Sequence, residues 1–97
     1  MTEQMRKVAI VGGVRIPFCR AYTGYAEETN QSMLAGAIGG LADKYGLKGE
    51  KVDEVMAGAV MNHAKDFNLA RESLLDAGLS PMTPGTTVQI ACGTSLQ

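Results

Sequence analysis

The sequence predicts an α/β protein built on a mostly parallel sheet, and three observations carry that expectation. Lys7 to Val14 holds an unbroken apolar stretch, VAIVGGV, of the kind a strand buried on both faces requires. Between Asn30 and Gly46 the apolar residues recur at helical spacing. Strand-like and helix-like segments then alternate along the chain, the order in which crossover helices join parallel strands.

Val8 to Val14 reads as the first strand, followed by a polar, tyrosine-bearing loop from Arg20 to Thr29. Met33, Leu34, Ala37, Ile38, Leu41, Ala42 and Tyr45 make one apolar helix face, with Asn30 the expected N-cap and Gly46 the residue past the end. Gly36, Gly39 and Gly40 each weaken an exposed helix by roughly 1 kcal/mol relative to alanine, which points to close packing there. Val52 to Met61, VDEVMAGAVM, is a second apolar run whose paired part is expected over Val55 to Met61. Polarity returns at Asn62, His63, Lys65 and Asp66, which marks a loop. Asn68 is placed to cap a second helix with Ala70, Leu74 and Ala77 facing inward and Gly78 just past its end. Pro81 and Pro84 bar helix continuation, and the alternating, β-branched run Thr86 to Ala91 supplies a third strand. A parallel sheet needs helices on both faces, and the helix due after this strand has only its first turn before Gln97. A single, incomplete domain over residues 1–97 is the expectation.

Composition narrows the function classes. Nine basic and ten acidic residues are interspersed for a net charge of −1, which leaves no electrostatic footprint for nucleic acid or an anionic membrane. The run Val8 to Val14 is closed by Arg15, too short for a membrane span and without a cleavage-site pattern. Cys19 and Cys92 lie far apart in no metal-ligand spacing, which fits a reducing compartment and a cytoplasmic protein. The sequon Asn30-Gln31-Ser32 carries no meaning there.

Several motifs are excluded by their surroundings. Gly12-Gly13 ends a strand but is followed by Val14-Arg15-Ile16-Pro17, which is neither a dinucleotide fingerprint nor a P-loop. The only histidine, His63, has no partner residue nearby and reads as a solvated loop side chain. Cys19, after Pro17-Phe18, has no neighbouring base and reads as packing. Cys92 is different. A strand ending in a small residue, a cysteine and a glycine delivers that sulfur to the mouth of a helix, where free N–H groups favour a thiolate. On these residues alone, a small buried hydrophobe remains the other reading of Cys92.

Taken together, three segments resemble the N-terminal part of a thiolase: Arg15-Ile16-Pro17-Phe18, Asn68-Leu69-Ala70-Arg71-Glu72 and Ala91-Cys92-Gly93-Thr94-Ser95. Their order and spacing match over almost the whole chain. The wording resembles acetyl-CoA acetyltransferases related to the β-oxidation thiolases more than ketoacyl synthases. Thr94 and Ser95 depart from the Cys-Gly-Ser-Gly form of many biosynthetic thiolases, which bears on subfamily and acyl-chain preference.

The resemblance implies an α/β/α layered fold and reversible acyl transfer on coenzyme A thioesters, in fatty acid metabolism, without a bound prosthetic group or metal. Cys92 would be the nucleophile that carries the acyl group. A histidine base, a second cysteine and oxyanion donors would come from the later half of a thiolase chain, so these residues alone are expected to be inactive. Acyl-CoA and coenzyme A would be the partners, with a homodimer or tetramer for the full-length protein. Arg15 and Arg71 match motifs that order loops and helix ends, and they read as structural donors rather than phosphate contacts. A runner-up keeps the family but not the chemistry: a non-catalytic half-fold that associates with itself or a partner through the edge strand Thr86 to Ala91. An unrelated small α/β binding domain with a buried Cys92 is the third reading.

Overall fold

The computed structural model describes residues 5–96. Within them lie two helices, α1 (Asn30–Tyr45) and α2 (Leu69–Asp76), two strands, β1 (Val55–Gly58) and β2 (Gly85–Val88), and a closing 3₁₀ helix over Ala91–Leu96. The strands pair in parallel with Val55 opposite Gly85 and Gly58 opposite Val88, and α2 makes the crossover. The α/β expectation with a parallel sheet therefore holds.

Helix α1 starts one residue earlier in the chain's logic than its sequence suggests. Thr29, in an extended conformation, is the N-cap: its hydroxyl accepts from the Ser32 N–H at 3.0 Å while its own N–H donates to Ser32 Oγ at 2.8 Å. Asn30 is already helical, and its side chain donates instead to the Met61 carbonyl at 2.9 Å, fastening α1 to the loop after β1. At the other end Gly46 takes φ 68°, the left-handed conformation that suits glycine. Gly39 is buried, but a Cβ on Gly36 or Gly40 would meet nothing within 4 Å. Close packing therefore does not account for those two glycines among the described residues.

Helix α2 carries the core. Asn68 caps it as expected, and Ala70, Leu74 and Ala77 are buried together with Leu69 and Ser73. Leu74 joins Ala42 and Leu79 in one cluster, against which Ile38, Leu47, Val52 and Val55 pack. The helix lies on both strands and α1 lies on α2. Its C-terminal carbonyls are closed by Lys48, whose ammonium donates to the Ala77 carbonyl at 2.7 Å.

The first expected strand does not form. Val8, Ile10 and Val11 are 89%, 95% and 81% exposed, and no ladder pairs them. Two carbonyls that a ladder would use accept from α1 side chains instead, Val11 from Tyr45 Oη at 3.3 Å and Gly13 from Lys44 Nζ at 3.4 Å. A doubly buried strand is stabilised only by neighbours on its edges and layers on its faces, and the described residues supply neither to this segment. The second and third strands are also shorter than expected, ending at Gly58 and Val88 rather than Met61 and Ala91.

Candidate active site

The two strand ends are brought together by a missing side chain. A Cβ on Gly58 would sit 2.0 Å from the Val88 carbonyl oxygen and 2.6 Å from Thr94 Cγ2, so only glycine lets β1 approach β2 and the turn beyond it this closely. Beyond that point the chains separate but stay tied. Asn62 Nδ2 donates to Gln89 Oε1 at 2.9 Å, and Gln89 Nε2 donates to the Val60 carbonyl at 3.2 Å.

After β2 the backbone reverses at Ala91, whose φ of 42° is unusual for a residue with a Cβ. Cys92 follows as an exposed free thiol in the 3₁₀ helix. Around it the turn is closed by hydrogen bonds: Gly93 N–H to the Ile90 carbonyl at 2.8 Å, Ile90 N–H to Thr94 Oγ1 at 3.0 Å, and Thr94 Oγ1 to the Ala91 carbonyl at 2.8 Å. The structure thus removes the buried-hydrophobe reading of Cys92, because its side chain faces solvent at the carboxyl end of a parallel strand. Such ends are where α/β sheets place their reactive groups.

The strand that delivers Cys92 is sewn to α2 by two polar residues that no periodicity marked. Asn68 Oδ1 accepts from the Arg71 N–H at 3.0 Å and from Thr87 Oγ1 at 2.6 Å, while Asn68 Nδ2 donates to the Gly85 carbonyl at 3.2 Å. Thr87 Oγ1 in turn accepts from the Ala70 N–H at 3.0 Å. Arg71 has the structural role expected of it: Nη1 donates to the carbonyls of Pro81 at 2.7 Å and Thr83 at 3.0 Å and so shapes the connection into β2. Buried Thr83 completes that connection by accepting from the Val52 N–H at 3.3 Å. The sequence signal for these contacts was the Asn-x-Ala-Arg-Glu motif itself, which marks where α2 begins but not what its side chains reach.

The other singled-out residues stand apart from Cys92. His63 is exposed and lines a cleft of about 660 Å³ between the N-terminus of α1 and residues 59–65, a cleft that Cys92 does not line. Its Nδ1 accepts from the Lys65 N–H at 3.2 Å. Arg15 stacks its guanidinium 4.8 Å from the Phe18 ring centroid, in an exposed loop. Cys19 is exposed rather than packed, with its sulfur 3.1 Å from Thr23 Oγ1; that hydroxyl holds the thiol below the ordinary cysteine value. No cluster of three or more metal-ligating side chains occurs among the described residues, and none of their helices is long and apolar enough to cross a membrane.

Comparison with known proteins bears on the same segments. A family model described as the thiolase N-terminal domain matches residues 8–97. A 3-ketoacyl-CoA thiolase of Photorhabdus laumondii subsp. laumondii is 37% identical over 97 residues, which is 100% of this chain and 22% of the relative. The mitochondrial trifunctional enzyme subunit beta of Mus musculus is 37% identical over 93 residues, covering 96% of this chain and 20% of that protein. An acetyl-CoA acetyltransferase of Chromobacterium violaceum is 36% identical over 91 residues, covering 94% and 23% respectively. The chain spans about a fifth of the length of these curated relatives.

Proposed function

The chain belongs to the thiolase family, and we propose that it contributes the acyl-accepting nucleophile, Cys92, to an enzyme that moves acyl groups between coenzyme A thioesters. The observation that carries this reading is an exposed Cys92 on a hydrogen-bonded turn at the carboxyl end of β2, inside the matched segment. The Cys92 thiolate attacks the thioester carbonyl carbon, a new C–S bond forms, and the coenzyme A thiolate leaves and takes up the proton that Cys92 lost. In the synthetic direction the enolate of a second acetyl-CoA attacks the acyl-enzyme carbonyl, a C–C bond forms, and the C–S bond to Cys92 breaks to return its thiolate. In the degradative direction the Cys92 thiolate attacks the 3-keto carbonyl of a 3-ketoacyl-CoA, the C2–C3 bond breaks, acetyl-CoA leaves as its enolate and is protonated at carbon, and a coenzyme A thiol then takes the shortened acyl group and releases Cys92.

This chemistry needs a base beside the thiol and donors for the developing oxyanion. His63 lines a cleft that Cys92 does not, so the base, a second proton-transferring cysteine and coenzyme A recognition are assigned to parts of a longer thiolase beyond these residues. On that reading the 97-residue piece, a partial N-terminal domain, is inactive alone. Its substrates are acyl-CoA and coenzyme A, no prosthetic group enters, and the full-length enzyme works as a cytoplasmic homodimer or tetramer. A second, non-catalytic reading, association through the sheet, is favoured by one observation: the sheet has two strands among the described residues, so each keeps an outer edge.

The deciding experiment uses a full-length thiolase carrying this segment. After brief exposure to acetyl-CoA, mass spectrometry should find the acetyl group on Cys92 and lose it in Cys92→Ala, whereas Cys19→Ala should keep it. Label on Cys19, or label that survives Cys92→Ala, would overturn the assignment.

A further inference from the structure

We infer that Thr94 is a positioning residue for Cys92, an inference that rests on Cys92 being the acyl acceptor. Three features of the turn point to it. First, both functions of the Thr94 hydroxyl are used within the turn: the oxygen accepts from the Ile90 N–H at 3.0 Å and its proton is donated to the Ala91 carbonyl at 2.8 Å. Second, the Ala91 carbonyl belongs to the same peptide unit as the Cys92 N–H. A trans peptide is planar, so a group that fixes the carbonyl direction also fixes the N–H on the opposite side. That N–H belongs to Cys92 itself, so its direction bears on how an acyl group carried by the sulfur would be met.

The third feature is mechanical. Ala91 sits at φ 42°, a left-handed conformation that an alanine does not adopt unaided, and the Thr94 bond acts on its carbonyl. The Thr94 methyl meanwhile seats against β1, where a Cβ on Gly58 would come within 2.6 Å of Cγ2. The hydroxyl therefore sets the shape of the turn, and the methyl packs beside Gly58.

The test compares Thr94→Val, which keeps the shape and removes the hydroxyl, with Thr94→Ser, which keeps the hydroxyl and removes the methyl. It is run in a full-length thiolase carrying this segment, with thiolysis of acetoacetyl-CoA counted per Cys92 that iodoacetamide alkylates in the native protein. Thr94→Val should lower kcat roughly 10- to 100-fold, the cost of misaligning reacting groups by a fraction of an ångström to about 1 Å. KM should move less than about threefold, because the lost alignment matters mainly in the transition state. Thr94→Ser should stay within about threefold of wild type. If the valine variant does not fold, Thr94→Ala against Thr94→Ser isolates the same hydroxyl. A valine variant with a lowered melting temperature but unchanged kcat per alkylatable Cys92 would overturn the inference, as would a serine variant as slow as the valine one. A wild-type enzyme that is active yet never acylated at Cys92 would remove the functional reading beneath it, a failure separate from either of these.

Discussion

Replacing Asn68 by alanine tests whether the hydrogen bonds between α2 and β2 are what hold the cysteine-bearing strand in place. The side chain caps α2 through Arg71 N–H, accepts from Thr87 Oγ1 and donates to the Gly85 carbonyl. Loss of an asparagine N-cap costs about 1 kcal/mol. Each of the other two bonds contributes about 1 kcal/mol net, and their half-buried partners are left unsatisfied. Because one side chain makes all three bonds, the sum is capped at about 2–3 kcal/mol. That corresponds to roughly 30- to 150-fold more frequent local opening. Amide hydrogen exchange, read by mass spectrometry on peptides covering α2 and β2 of a full-length thiolase carrying this segment, measures it directly. Asn68→Asp keeps both acceptor contacts and places a negative charge at the helix N-terminus, but turns an oxygen toward the Gly85 carbonyl. It should lose about 1 kcal/mol, near fivefold in exchange. An acceleration below threefold in the alanine variant would refute the argument, and equal effects of Ala and Asp would show that only the Gly85 contact matters.

Gly58→Ala should destabilise by about 3 kcal/mol or more, since its Cβ would lie 2.0 Å from the Val88 carbonyl oxygen and the two strands would have to part; soluble yield and melting temperature report this, and a melting temperature equal to wild type would count against the register. Gly40→Ala and Gly46→Ala should move stability in opposite directions. The first adds a methyl to open space on α1 and gains about 0.5–1 kcal/mol, while the second forces a Cβ onto φ 68° and loses about 1 kcal/mol. A fall in melting temperature for Gly40→Ala in a full-length thiolase would show that this face is covered there. For Cys19, whose pKa is lowered by the Thr23 hydroxyl, Thr23→Val should shift the pH profile of iodoacetamide alkylation upward. Below the ordinary thiol range the wild type then holds the larger thiolate fraction and reacts faster, and the profiles converge where both thiols are ionised; coincident profiles at every pH would refute the hydroxyl's role.

What the sequence shows about this fold depends on whether a signal is local. The C-terminus of α1 at Gly46, the cap of α2 at Asn68 and the inward residues Ala70, Leu74 and Ala77 are all set within one or two helical turns, and all were legible. The start of α1 was misplaced by one residue because Thr29 and Asn30 are both good caps. The choice is made by Ser32 completing a box with Thr29 and by Asn30 reaching Met61, a contact between positions far apart in the chain. Val8 to Val14 shows the limit most clearly. An apolar run states that burial is favourable, but burial is realised only where another element offers a ladder and two covering faces. Among residues 5–96 that segment rests its carbonyls on Tyr45 and Lys44 instead.

The candidate site divides along the same line. The exposed place of Cys92 just past β2 was legible because its local setting, a strand ending in a small residue and a glycine, is written in adjacent residues. The contacts that hold β2 and the turn after it were not, because Thr87, Gln89 and Thr94 are ordinary polar residues whose partners appear only once β1 and β2 are in register. That register has one tight point, Gly58 opposite Val88, with Thr94 pressed on the same glycine. A slip by one residue would place a side-chain-bearing residue against the Val88 carbonyl, turn β2 side chains to the opposite face and break the Asn68–Thr87 contact together with the seat of Thr94. The position of the thiol is therefore a property of the strand pairing. A cysteine placed after an equally apolar strand without a glycine at that point would keep the motif and lose the geometry.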